Sequence, residues 1–198
     1  MNTENTVNKT IIAGRVLEEF SFSHEIFGEK FYSTKVSIQR LSGTEDIIPV
    51  LIREEFYKEG IKDTYIKVIG QFRSYNYMGD DNRSHLKLLV FGTNVEFNPQ
   101  IQYENEIQLR GFVTKPIKLR STPFGRQISD ICLAVNRNYR KSDYIPCIAW
   151  GANATFTEQL SVGTQIEVLG RIQSREYIKD NELRVAYEVS ISEINVMP

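Results

Sequence analysis

The chain of 198 residues has room for one large domain or two small ones. Its apolar fraction of 41% and charged fraction of 25% are those of a soluble globular protein, and no run of about 18 apolar residues exists that could cross a bilayer. A net charge of −1 does not fit a protein that coats nucleic acid by charge alone.

The first residues, Met1 to Lys9, are polar and lack the apolar core of a signal peptide, so a cytoplasmic location is expected. A first strand is predicted over residues 8–19, followed by a loop containing Gly28. Two strands then form a hairpin over residues 30–41 and 46–53. A short helical segment is predicted at 54–59, a fourth strand at 64–75, a polar loop, and a fifth strand at 84–92. At Phe97-Asn98-Pro99-Gln100 a proline and polar residues interrupt the pattern, which places a domain boundary between residues 98 and 99. The same order then recurs. Strands are predicted at 105–115, 126–137 and 143–150, a helical segment at 152–160, and strands at 164–175 and 183–192.

The recurrence is a true internal repeat. At an offset of 97, Asn8 falls on Asn105, Gly14 on Gly111, Gly28 on Gly125, Arg40 on Arg137, Asp46 on Asp143 and Pro49 on Pro146. At an offset of 100, Val68 falls on Val168, Gly70 on Gly170, Ser74 on Ser174 and Tyr77 on Tyr177. Five strands with a helix between the third and fourth is the order of an OB-fold, which uses strands 2–3 and the loops after strands 1 and 4 for oligonucleotides. The expected fold is therefore all-β: two tandem five-stranded Greek-key barrels, a divergent one in 1–98 and a second in 99–198.

Function concentrates in the second copy. Residues 1–98 hold 12 Lys+Arg against 14 Asp+Glu, and residues 99–198 hold 12 against 11. Five arginines lie in the first half and eight in the second, and Arg both forks phosphates and stacks on flat rings. The second hairpin carries Tyr139, Tyr144 and Trp150 among Arg137, Arg140 and Lys141. Rings among cations suit base stacking and phosphate contact; they are also ordinary half-buried strand residues.

Leu133-Ala134-Val135-Asn136-Arg137 and Asp143-Tyr144-Ile145-Pro146-Cys147-Ile148-Ala149-Trp150-Gly151 resemble the bacterial single-stranded DNA-binding protein family. So do Arg110-Gly111-Phe112-Val113 and Thr122-Pro123-Phe124-Gly125 upstream, and the run from Val168 to Tyr177 downstream. The resemblance covers roughly residues 105 to 192 and implies single-stranded DNA as the ligand, with RNA as a variant, in replication, recombination or repair. It places the base-stacking rings at Tyr139, Tyr144, Trp150 and Tyr177. Phosphate contact is assigned to Lys115, Lys118, Arg120, Arg126, Arg137, Arg175, Lys179 and Arg184, with Phe124 beside the first loop's cations. The family gathers four OB-folds, so a homodimer is implied.

The first copy departs from this pattern. Ser42, Ile47 and Arg53 stand where the second copy has Tyr139, Tyr144 and Trp150, and its first loop carries Glu18, Glu19 and Glu29. It retains Arg40, Arg53, Arg73, Tyr75, Tyr77 and Lys87, from which weak DNA contact is expected. The family's acidic C-terminal tail has no counterpart before Pro198, so recruitment of replication proteins by such a tail is not expected. An alternative reading is an adaptor that binds protein in a replication or primosome assembly.

Catalysis finds no support. Both histidines, His24 and His85, lie in the first copy, and no metal-binding Cys pair or phosphate-binding Gly loop occurs. No metal or cofactor is expected. Cys132 and Cys147 are read as reduced strand residues.

Overall fold

The computed structural model describes residues 7–78, 82, 84–137, 141–179 and 181–198, with Lys179 described by its backbone only. The first unit contains β1 (Val7–Val16), β2 (Ser21–Ile26), β3 (Glu29–Gln39), β4 (Glu45–Arg53), β5 (Tyr65–Met78) and β6 (Ser84–Phe97). The second contains β7 (Glu104–Val113), β8 (Lys118–Ser121), β9 (Gln127–Arg137), β10 (Lys141–Trp150), β11 (Gln165–Lys179) and β12 (Glu182–Val196).

Each unit closes a five-stranded ring. In the first, β1 pairs with both β3 and β5, β3 with β4, β4 with β6 in parallel, and β6 with β5. In the second, β7, β9, β10, β12 and β11 close in the same way. These are the two expected OB-fold barrels. The first loop of each unit adds one further strand, β2 or β8, bonded only to β3 or β9. In the sequence both extra strands fall within what reads as a Gly-containing loop, since β8 is only four residues long and β2 is exposed along nearly its whole length.

Alternation builds the cores. Along β5, Ile66, Val68 and Phe72 are buried while Tyr65, Lys67, Ile69 and Gln71 are not, as a period of two requires. Val36, Ile48, Val50 and Val90 complete the first core; Leu109, Leu133, Ile145, Ile172 and Val189 stand in the second. Gly70 and Gly170 sit at the same register shift in both copies. A Cβ there would lie 2.0 Å from the Phe91 carbonyl oxygen and 2.2 Å from that of Ser190, so the backbones cross too closely for any side chain.

The helical segments differ between the units. In the first only a 3-10 turn forms, Glu54–Phe56, closely followed by Gly60 at φ +70°. In the second, two alanines favour α1 (Ala152–Phe156), which runs on into a 3-10 turn at Thr157–Gln159.

The units are joined by more than the connection at 98–103. β1 pairs antiparallel with β7, from Val7 opposite Arg110 to Ala13 opposite Glu104, so all twelve strands form one sheet. Each hairpin also leans on the other unit's long arm. Asp46 accepts the Ser174 N–H at 2.7 Å, and Ser174 Oγ accepts the Ile47 N–H at 3.0 Å. In the mirrored position, Asp143 accepts the Ser74 N–H at 2.9 Å, and Ser74 Oγ accepts the Tyr144 N–H at 2.8 Å. Beside them Asn8 brackets the backbone of Phe72, and Asn105 that of Ile172, each donating at 2.7 Å and accepting at 2.9 Å. The repeated Asp and Ser positions thus hold the units together, while each repeated Asn braces the long arm of its own unit. Among the described residues no helix is long and apolar enough to cross a membrane.

Candidate nucleic-acid interface

The β9–β10 hairpin turns one face inward and one outward. Ile145, Cys147 and Ala149 are buried, so Tyr144 and Trp150 point out, 48% and 38% exposed. Tyr139 and Arg140 lie outside the described residues. The cysteines are free thiols, Cys147 buried and Cys132 partly so.

The first loop of this unit presents Lys115, Lys118 and Arg126 to solvent, without an ion-pair partner among the described residues. Phe124 stands at its tip, 93% exposed. Arg120 is different: its guanidinium grips Asp130 through two bonds of 2.8 and 3.0 Å, which raises its pKa.

On the β11–β12 arm, Arg175 is exposed and lies 5.9 Å from the centre of the half-buried Tyr177 ring. Arg184 stands across from Tyr177 and pairs with Glu182 at 2.9 Å. The side chain of Lys179 lies outside the described residues. The free edge of this arm is bonded to the first unit's hairpin through Asp46 and Ser174, so Arg175 and Tyr177 border β4.

Arg137 is drawn into the contact between units. Its guanidinium lies 3.5 Å from Asp143 and 5.6 Å from the Tyr75 ring centre, and its Nε is buried without a hydrogen-bond partner. Burial raises the pKa of Asp143, against the opposing pull of the Ser74 N–H and of Arg137. Arg40, the equivalent of Arg137, clamps Asp46 bidentately, with Nε to Oδ2 at 2.7 Å, and Arg171 adds a contact at 3.3 Å. The charge of Arg40 is thereby committed within the protein.

The other first-unit residues are also largely engaged. Arg53 pairs with Glu29 at 3.4 Å and Glu55 at 3.0 Å. Arg73 lies 3.9 Å over the Phe91 ring and donates twice to Gln71. Tyr75 packs on a second apolar cluster outside the barrel, formed by Phe31, Leu51, Leu89 and Phe91. Tyr77 is exposed and stacks with His85 at 5.5 Å, and Lys87 is exposed. The cluster was not anticipated from the sequence, although the unbroken apolar run Leu88-Leu89-Val90-Phe91 signals a strand buried on both faces. Glu19, one of the first loop's acids, accepts the N–H groups of Gly60, Ile61 and Lys62 at 3.1, 3.2 and 2.9 Å. These bonds, led by that of Lys62, lower its pKa.

The second unit therefore offers outward rings and unpaired cations on one set of strands and loops, while the first offers mainly engaged cations. No cluster of three or more potential metal ligands occurs among the described residues.

A family model described as the single-strand binding protein family matches residues 104–197. The single-stranded DNA-binding protein B of Bacillus subtilis is 33% identical over 88 residues, covering 41% of this chain and 78% of the relative. That of Enterococcus faecalis is 38% identical over 88 residues, covering 41% of this chain and 47% of the relative. The chain thus spans about half the length of several of the curated relatives it matches. The wild-type single-stranded DNA binding protein from Thermus aquaticus superposes with a TM-score of 0.80 at 18% identity, covering 98% of this chain and 94% of that one. At that identity the likeness concerns the fold, but it spans both units.

Proposed function

Because the chain belongs to the single-strand binding protein family, through a match that lies in its second unit, we propose that it binds single-stranded DNA without strong sequence preference. The observation that carries this reading is the outward pairing of Tyr144 and Trp150 on one strand, beside the unpaired cations of the adjoining loop. Bases stack on Tyr144, Trp150 and Tyr177, each stack contributing about 1–3 kcal/mol. Lys115, Lys118, Arg126 and Arg175 hold phosphates, a contact blind to sequence and weakened by salt. Duplex DNA hides the base faces and is disfavoured. RNA offers the same faces and backbone, so discrimination against it is weak. The role is non-catalytic, in replication, recombination or repair, in the cytoplasm.

Residues 1–98 and 99–198 act as unequal partners in this reading. The first unit contributes little to DNA affinity, because Arg40 and Arg53 are held by carboxylates and Ile47 replaces Tyr144. Two chains together present four barrels as a homodimer. The adaptor reading draws on the same engaged first unit, which leaves that half for protein contact.

Trp150 is the single tryptophan and reports directly on the proposed site. Titration with oligo-dT should quench its fluorescence and raise the anisotropy of labelled oligonucleotide, with duplex inactive. Tyr144→Ala should weaken binding by about 1–3 kcal/mol. No anisotropy change at micromolar protein would reject DNA binding and favour the adaptor.

A further inference from the structure

The twelve-stranded sheet ends in β2 on one side and β8 on the other, and the outer edge of each lacks a backbone partner among the described residues. Open strand edges are templates for pairing with another chain. The two hairpins are equivalent in the repeat, and each turns through an exposed phenylalanine followed by a glycine of positive φ: Phe27 at 105% exposure before Gly28, Phe124 before Gly125.

Their charges are opposite. Residues 17–31 hold Glu18, Glu19, Glu25 and Glu29 against Lys30, while residues 114–128 hold Lys115, Lys118, Arg120 and Arg126 and no acid. Glu25 stands opposite Lys30, whose ammonium is already bonded to Glu54 at 3.1 Å. On the acidic hairpin Phe22 and Ile26 are exposed as well as Phe27. Such a surface repels phosphate, so its apolar side chains are not placed for bases. They fit a protein surface that is basic, partly apolar and open along a strand. The hairpin of β8 has those properties, with Leu119 between Lys118 and Arg120 and Phe124 at the tip.

We propose that the β2 edge of one copy docks on the β8 edge of the next. The two edges are different surfaces at opposite ends of one sheet, so the contact is heterologous and repeats from chain to chain. Two strands of six and four residues are too short to hold free chains together. Chains bound side by side on one DNA strand are at high effective concentration, and there the contact acts as binding cooperativity. The proposal rests on the DNA-binding reading. At sparse coverage the basic hairpin faces phosphate; at dense coverage it faces its neighbour.

The test compares the full wild-type chain with the double variant Glu25→Gln, Phe27→Ser, both changes being exposed and outside the proposed DNA contacts. A short oligo-dT that holds one homodimer measures intrinsic affinity by anisotropy, and long poly-dT measures nearest-neighbour cooperativity. The expected result is equal affinity for the short oligonucleotide and a cooperativity lowered about tenfold or more, equivalent to about 1.4 kcal/mol per contact. Circular dichroism checks that the variant is folded, and Phe22→Ser serves as a second variant with the same expected effect. Binding of the short oligonucleotide with unchanged cooperativity, or a wild type without cooperativity, overturns the edge contact alone. No binding of the short oligonucleotide overturns the DNA-binding reading and the edge contact with it.

Discussion

A cation serves phosphate only to the extent that the protein has not already used it. Arg126 and Arg120 stand on the same hairpin, yet Arg120 is held by Asp130 while Arg126 has no ion-pair partner among the described residues. Arg126→Ala should lower the slope of log affinity against log salt by about 0.7, the value for one phosphate on a single strand. Arg120→Ala should lower it less, because the guanidinium is already held by Asp130 and is less available to phosphate. Oligo-dT isotherms at several salt concentrations distinguish the two. The exposure of Tyr144 and Trp150 was legible from the sequence, because strand alternation assigns each side chain a face. The fate of Arg137 was not: its ring partner, Tyr75, belongs to the other unit, and no local pattern links them.

Among elements, the hairpins and arms hold each other through buried carboxylates. Burial raises the pKa of Asp143 above its unfolded value. The folded state then binds the proton more tightly, so the stability this group contributes is full below the ordinary carboxylate pKa and is lost as pH rises through the raised one. Asp143→Asn keeps an oxygen for the Ser74 N–H and removes the titration. The unfolding free energy of wild type minus that of Asp143→Asn should therefore fall as pH rises from the ordinary Asp value upward, measured by urea unfolding at stepped pH. A rising difference would show that the Arg137 pairing outweighs burial. Strand order was legible because Gly, Pro and alternating apolar residues act locally. Strands β2 and β8 were missed because each is short, pairs on one side only and buries almost none of its side chains, so the apolar residues of β2 mark no core face.

For the whole molecule, the repeat announced two barrels but not one sheet. The pairing of β1 with β7 depends on partners about a hundred residues apart, and the offset of 97 contains no hint of it. This ladder, together with the buried Asp46 and Asp143, couples the units mechanically. Urea unfolding should be a single transition, with Trp150 fluorescence, confined to the second unit, coinciding with far-ultraviolet dichroism from both. Separate midpoints would show that the barrels melt independently.

The β1–β7 ladder also has a genetic consequence. Where two identical chains pair across such a seam, every substitution is imposed on both sides at once. Here the sides are encoded separately, so a change that ruins one face leaves its counterpart intact. Ile47 at the position equivalent to Tyr144, and Glu29 at that equivalent to Arg126, are differences of this kind between the two copies. A gene of this kind can keep one face for an old ligand while the other drifts toward a new neighbour.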